Sequence, residues 1–130
     1  MNQIRPEELQ NRRQKGKPVD LVDVRTPGEF AAVHAEGARL VPLHLVSSKT
    51  VLADHPAGSG TIYVICRSGR RSSVACEKLR AAGLKDVVNV AGGTLAWEQA
   101  GLPVVRGVRG PSLVQVLWNG LLQRLGRKPA

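Results

Sequence analysis

At 130 residues the chain is long enough for one domain with a continuous core, and aromatics at only 3% leave that core to aliphatic side chains. No stretch approaches the roughly 18 apolar residues of a spanning helix, and no apolar run follows a basic start as in a signal peptide. A chain of this size does not need the one disulfide its two cysteines allow, and its formal charge of +9 favours anionic partners, so the expectation is a soluble, cytoplasmic protein in a reducing compartment.

Ile4 to Leu9 reads as a helix start, with Pro6 at the first helical position, Glu7 and Glu8 at the positive end of the dipole, and Ile4 able to staple onto Leu9. Val19 to Val24 is rich in strand formers until Thr26-Pro27 breaks it; Glu29 to His34 looks helical, and Arg39 to Leu43 is a short strand candidate. Thr61 to Ile65 is a continuous β-branched and aromatic run, the pattern of a strand buried on both faces. Ser72 to Ala82 has helical composition and ends at Gly83; Val87 to Val90 is another buried strand. Gly92-Gly93 makes a tight turn into a helix that carries Trp97 into the core and closes at Gly101-Leu102-Pro103. Strands alternating with helices predict an α/β sandwich around a mostly parallel sheet.

Between the third strand and its helix lies Cys66-Arg67-Ser68-Gly69-Arg70-Arg71-Ser72. A buried strand delivers Cys66 to its carboxyl end, where open α/β sheets form their ligand crevices. A loop wrapped round the sulfur aims backbone N–H groups and a helix N-terminus at it, and Gly69 allows the positive φ of a tight cradle. Three arginines add fixed positive charge. Each feature favours thiolate over thiol, so Cys66 is the candidate nucleophile and Arg67, Ser68, Gly69, Arg70, Arg71 and Ser72 the candidate binding loop. Cys76, inside the following helix beside Ala75 and Leu79, reads as core.

These pieces together resemble the rhodanese family over roughly residues 3 to 105. They are Asp23-Val24-Arg25 with Glu29-Phe30, His34 to Leu43 as a variant of a Gly-His-Ile…Gly-Ala…Pro-Leu segment, the loop at Cys66, Gly92-Gly93 with Trp97, and Gly101-Leu102-Pro103. Val33 stands where the family has glycine, and Ala35 where it has isoleucine. The resemblance implies a rhodanese-like α/β sandwich and transfer of sulfane sulfur, without a cofactor, from an anionic donor such as thiosulfate to cyanide or a thiol through a Cys66 persulfide. Donor and acceptor can equally be another protein's persulfide or thiol. Asp23 and Arg25, at the end of the first long strand, are read as supporting residues, with Arg25 paired to Glu29 or Asp23.

Two other functions compete. A cysteine phosphatase or arsenate reductase places five residues between cysteine and arginine; here only four separate Cys66 from Arg71, and Ile65 rather than histidine precedes the cysteine. A non-catalytic module for partner binding or regulation has no need of a cysteine in so charged a loop. His34, His44 and His55 share no ligand spacing, so no metal is expected, and charge without zinc spacing or an aromatic-basic sheet pattern does not make a nucleic-acid partner.

The chain therefore divides into a domain over 1–105 and a basic tail over 106–130 that has no acidic residue. Within the tail, 112–125 predicts an amphipathic helix. Ser112 and Gln115 form a capping box, and Leu113, Val114, Leu117, Trp118, Leu121, Leu122 and Leu125 share one half of the wheel. At about 20 Å it is shorter than a hydrocarbon core of about 30 Å. Its apolar stripe suits its own domain or a second protomer; the alternative is an anionic membrane surface met by Arg106, Arg109, Arg124, Arg127 and Lys128.

Overall fold

The computed structural model describes residues 2–107. In chain order these form β1 (Gln3–Ile4), α1 (Pro6–Gln14), β2 (Asp20–Asp23), α2 (Pro27–Ala32), β3 (Val33–Ala35), β4 (Arg39–Leu40), a 3-10 turn (Leu43–Leu45), α3 (Ser48–Ala53), β5 (Ile62–Ile65), α4 (Arg70–Ala81), β6 (Val87–Val90), α5 (Gly93–Gln99) and β7 (Val104–Arg106). Five strands pair in the order β1-β6-β5-β2-β4, every neighbour parallel, while β3 and β7 form a separate antiparallel pair. β2, β5 and β6 are buried at every position, as central strands must be when helices cover both faces.

Side chains alternate across the sheet, and this sorts the core into two clusters. Val22, Ile62, Val64 and Val87 face α4 with Ala75, Cys76 and Leu79. Leu21, Tyr63, Ile65, Val88 and Val90 face the other way, against Leu9 of α1 and Trp97 of α5. By the same alternation Cys66, one step past β5, falls on the α4 side, and so does Asn89, between Val88 and Val90 of β6. Ile4 and Leu9 meet in the second cluster, as a staple at the start of α1 would place them.

Several boundaries differ from the sequence expectation. α2 starts earlier than residue 29 because Thr26 and Glu29 cap it reciprocally; it ends at Val33, whose backbone is drawn out to pair with β7. The strand expected over 39–43 is two residues long and gives way after Pro42 to the 3-10 turn. α4 begins at Arg70 rather than Ser72, so Arg70 and Arg71 belong to its first turn. α3, β1, β3 and β7 were not expected. β7 crosses the boundary drawn at residue 105, and the helix expected over 112–125 lies outside the described residues. Among the described residues no helix is long and apolar enough to cross a membrane.

A charged cluster fixes the edge of β2 away from the loop. Asp20, only 2% exposed, accepts from Arg39 Nε at 2.8 Å and Nη2 at 2.9 Å, and its Oδ2 lies 2.6 Å from His55 Nδ1. Burial pushes the Asp20 carboxyl up, but the bonds from Arg39 and His55 outweigh it and hold the group below its ordinary value. A carboxyl depressed by folding contributes stability above the ordinary Asp range and loses that contribution as pH falls through it. Asp20→Asn is thus expected to cost about 3 kcal/mol at pH 7, the low end for breaking a buried pair. It should also flatten the loss of stability below about pH 4, read by urea denaturation at several pH values.

Candidate active site

β5 carries the chain outward to Cys66, and the next three residues turn back so that α4 can pack on the same face of the sheet. The turn is completed at Gly69, whose φ of 105° L side chains rarely adopt. Gly69 N–H donates to Cys66 Sγ at 3.0 Å, and Ser72 Oγ lies 3.3 Å from the same sulfur. Burial pushes the Cys66 thiol up; the Ser72 hydroxyl and the N–H groups of Ser72, Gly69 and Ser68 outweigh it, so the thiol ionises below its ordinary value. The residue is 1% exposed, so only a small reactive atom reaches the sulfur. Cys76, ten residues on in the second turn of α4 and fully buried, has no such donors among the described residues and is pushed up to about 11 by burial.

The loop is held from outside. Cys66 O accepts from Thr94 N at 2.8 Å and Thr94 Oγ1 at 3.1 Å, and Arg67 O from Leu95 N at 3.1 Å. Gly93 lets α5 come this near: a Cβ there would overlap the Cys66 and Arg67 carbonyls, and its φ is +61°. Asn89 reaches up from β6, with Nδ2 donating to Gly69 O at 3.2 Å and Oδ1 accepting from the Ser72 hydroxyl.

The arginines do not act alike. Arg67 and Arg70 are exposed and form no ion pair among the described residues. Arg71, expected as part of the cradle, instead grips Glu29 with both ends of its fork, at 2.7 and 3.0 Å. The Arg71 bonds, joined by donors from Thr26, take the Glu29 carboxyl down to about 2. Arg25 binds Asp23 rather than Glu29: Nε meets Oδ1 at 3.0 Å, Nη2 meets Oδ2 at 2.9 Å, and Nη2 also donates to Val33 O at 2.6 Å. The pair is almost wholly buried and, among the described residues, makes no hydrogen bond to Cys66; it ties the end of β2 to β3. Ala35 is fully buried on β3, where a larger side chain would have to displace core.

His34 Nδ1 lies 2.7 Å from Phe30 O and its ring stacks on Phe30, while His55 is taken by Asp20. No group of three or more metal-ligating side chains occurs among the described residues. A groove of about 450 Å³ runs beside Arg71, lined by Val24, Pro27, Leu43 and Val74 together with His44 and Lys78. Sequence reasoning missed Asn89, Thr94 and the use of Glu29. A polar residue between valines was the one signal for Asn89.

A family model described as a rhodanese-like domain matches residues 5–100. An uncharacterized protein of Synechocystis sp. is 38% identical over 109 residues, which is 83% of this chain but 58% of that protein. A protein of Allochromatium vinosum named sulfurtransferase is 37% identical over 105 residues, 81% of this chain and 95% of its own length. Among solved structures, a rhodanese-like domain from Anabaena sp. superposes with a TM-score of 0.71 at 28% identity, covering 83% of this chain and 80% of that one.

Proposed function

Because this chain belongs to the rhodanese-like domain family, we propose that it is a sulfurtransferase that loads Cys66 with sulfane sulfur from an anionic donor such as thiosulfate and passes it to a thiophilic acceptor. The observation that carries this reading is the ring of N–H and hydroxyl donors that keeps a nearly buried Cys66 below its ordinary pKa. In the first step the Cys66 thiolate attacks the outer sulfur of thiosulfate. A sulfur–sulfur bond forms, the bond to the sulfonate sulfur breaks, and its electron pair leaves with sulfite. In the second, cyanide carbon or a thiolate attacks the terminal sulfur and the pair in the sulfur–sulfur bond returns to Cys66. The donors that hold the thiolate serve the anionic persulfide equally.

Hydrolysis of a phosphate ester fits less well, since Arg71 is bound to Glu29 and, among the described residues, no arginine bonds the loop interior. A persulfide or thiol of another protein suits the same chemistry, with the groove beside Arg71 offering such a partner contact area. A reducing compartment such as the cytoplasm keeps both cysteines as the free thiols they are here.

Steady-state assays with thiosulfate and cyanide are expected to yield thiocyanate with the parallel-line pattern of a two-step exchange. Thiocyanate no faster than without protein would count against thiosulfate as donor. The unpaired arginines give a second expectation. A sulfonate docked on Arg67 or Arg70 gains a charge-assisted hydrogen bond of about 1.5–3 kcal/mol, so alanine at the contacting residue should raise KM for thiosulfate about 10-fold or more. KM for cyanide in the second half-reaction should change less.

A further inference from the structure

The Ser72 hydroxyl has one hydrogen and two acceptors: Cys66 Sγ at 3.3 Å and Asn89 Oδ1, the latter at much shorter range. Asn89 cannot turn away from this contest. Its Nδ2 donates to Gly69 O, and reversing the amide would set two carbonyl oxygens against each other. Ser72 is fully buried and Asn89 only 5% exposed, so solvent does not readily supply a substitute donor. We propose that Asn89 is a positioning residue that holds the Ser72 hydrogen while Cys66 is a neutral thiol and yields it to the sulfur when the sulfur is an anion.

With a thiol, S–H donates to Ser72 Oγ and Ser72 donates to Asn89, so all three groups are satisfied. With an anionic sulfur, the hydroxyl rotates toward Sγ and Asn89 Oδ1 loses its donor. Asn89 therefore restrains ionisation of Cys66 through Ser72, and Ser72 promotes it. The two residues act on the sulfur with opposite sign, unlike two struts that merely support a loop. The loop keeps other ties without the Asn89 amide, because Gly69 O also accepts from Ser73 N and Thr94 holds Cys66 O.

The other titratable groups near the loop come from every packed element. They are Arg67 and Arg70 in the loop and α4, Arg71 with Glu29 of α2, Asp23 with Arg25 at the end of β2, Cys76 and Lys78 in α4, and His44 of the 3-10 turn, which lines the groove beside Arg71. Glu29 at about 2 and Cys76 at about 11 titrate far from neutrality, and Arg71 is raised by Glu29. Because alkylation is mapped to the peptide that carries Cys66, the midpoint read there is that of Cys66 itself.

The test is the pH dependence of iodoacetamide alkylation at Cys66, mapped by peptide mass, in wild type, Ser72→Ala, Asn89→Ala and the double variant. Ser72→Ala is expected to raise the midpoint by about one pH unit or more, as loss of a hydrogen bond to a charged group should. Asn89→Ala is expected to lower it by about half a unit, and the double variant should match Ser72→Ala alone. A rise or no change in Asn89→Ala, or a shift that persists without the Ser72 hydroxyl, overturns the proposal. If Asn89→Ala does not fold, Asn89→Asp should raise the midpoint, and at least half of that rise should vanish in the Ser72→Ala background; an undiminished rise overturns it equally. The inference rests on Cys66 being the sulfur-bearing nucleophile, but alkylation reads ionisation alone. A wild type that alkylates as expected and never accepts sulfur defeats the proposed function and leaves the role of Asn89 to be decided by the variants.

Discussion

Cys66→Ser is expected to reduce thiocyanate formation to the rate seen without protein, while Cys76→Ala stays within about twofold of wild type. The two cysteines are ten positions apart and both buried, yet their surroundings oppose each other. Cys66 lies among donors that offset its burial; Cys76 packs in the core cluster and is pushed up to about 11 by burial, leaving almost no thiolate at neutral pH. Serine at 66 keeps the size but offers an alkoxide that cannot form in this range. Alanine at 76 should cost about 1 kcal/mol of stability from the small void it leaves, measured by chemical denaturation. Comparable loss of turnover in the two variants would move the chemistry away from the β5–α4 loop.

Gly93→Ala is expected to lower both stability and sulfur transfer, the latter by about 100-fold, because the added methyl falls on the carbonyls that α5 holds. The control is Gly101→Ala. Gly101 has φ +73°, Gly93 +61°, so the backbone strain is similar, about 1–2 kcal/mol, but nothing lies within 4 Å of a Cβ at 101. Melting temperature and kcat/KM measured on both variants separate strain from contact. If they behave alike, the close approach of α5 to the loop is not what positions Cys66.

The fold was legible where chemistry and periodicity agreed. Ile62 to Ile65 reads as a buried strand because every side chain is β-branched or aromatic, and the helix after it reads from its composition. The candidate nucleophile was legible for the same reason: only one cysteine stands between that strand and that helix. Short elements were not. α3 is six residues long and announces itself only through the Ser47–Thr50 capping box, and β3 and β7 exist because they pair with each other across the chain. Charge was legible as a sum but not as a pattern. Arg71 looked like loop charge until the fold brought Glu29, 42 positions away, against it. Asn89 sits among valines in a strand, and its use depends on a loop 20 residues earlier.

The most direct measurement is the intact mass of the purified protein after exposure to thiosulfate and again after cyanide. The account predicts a gain of about 32 Da, one sulfur atom, carried by a peptide containing Cys66, and complete return to the starting mass with release of thiocyanate. No gain in mass with thiosulfate or with a persulfide donor, or a gain that persists in Cys66→Ser, would contradict it.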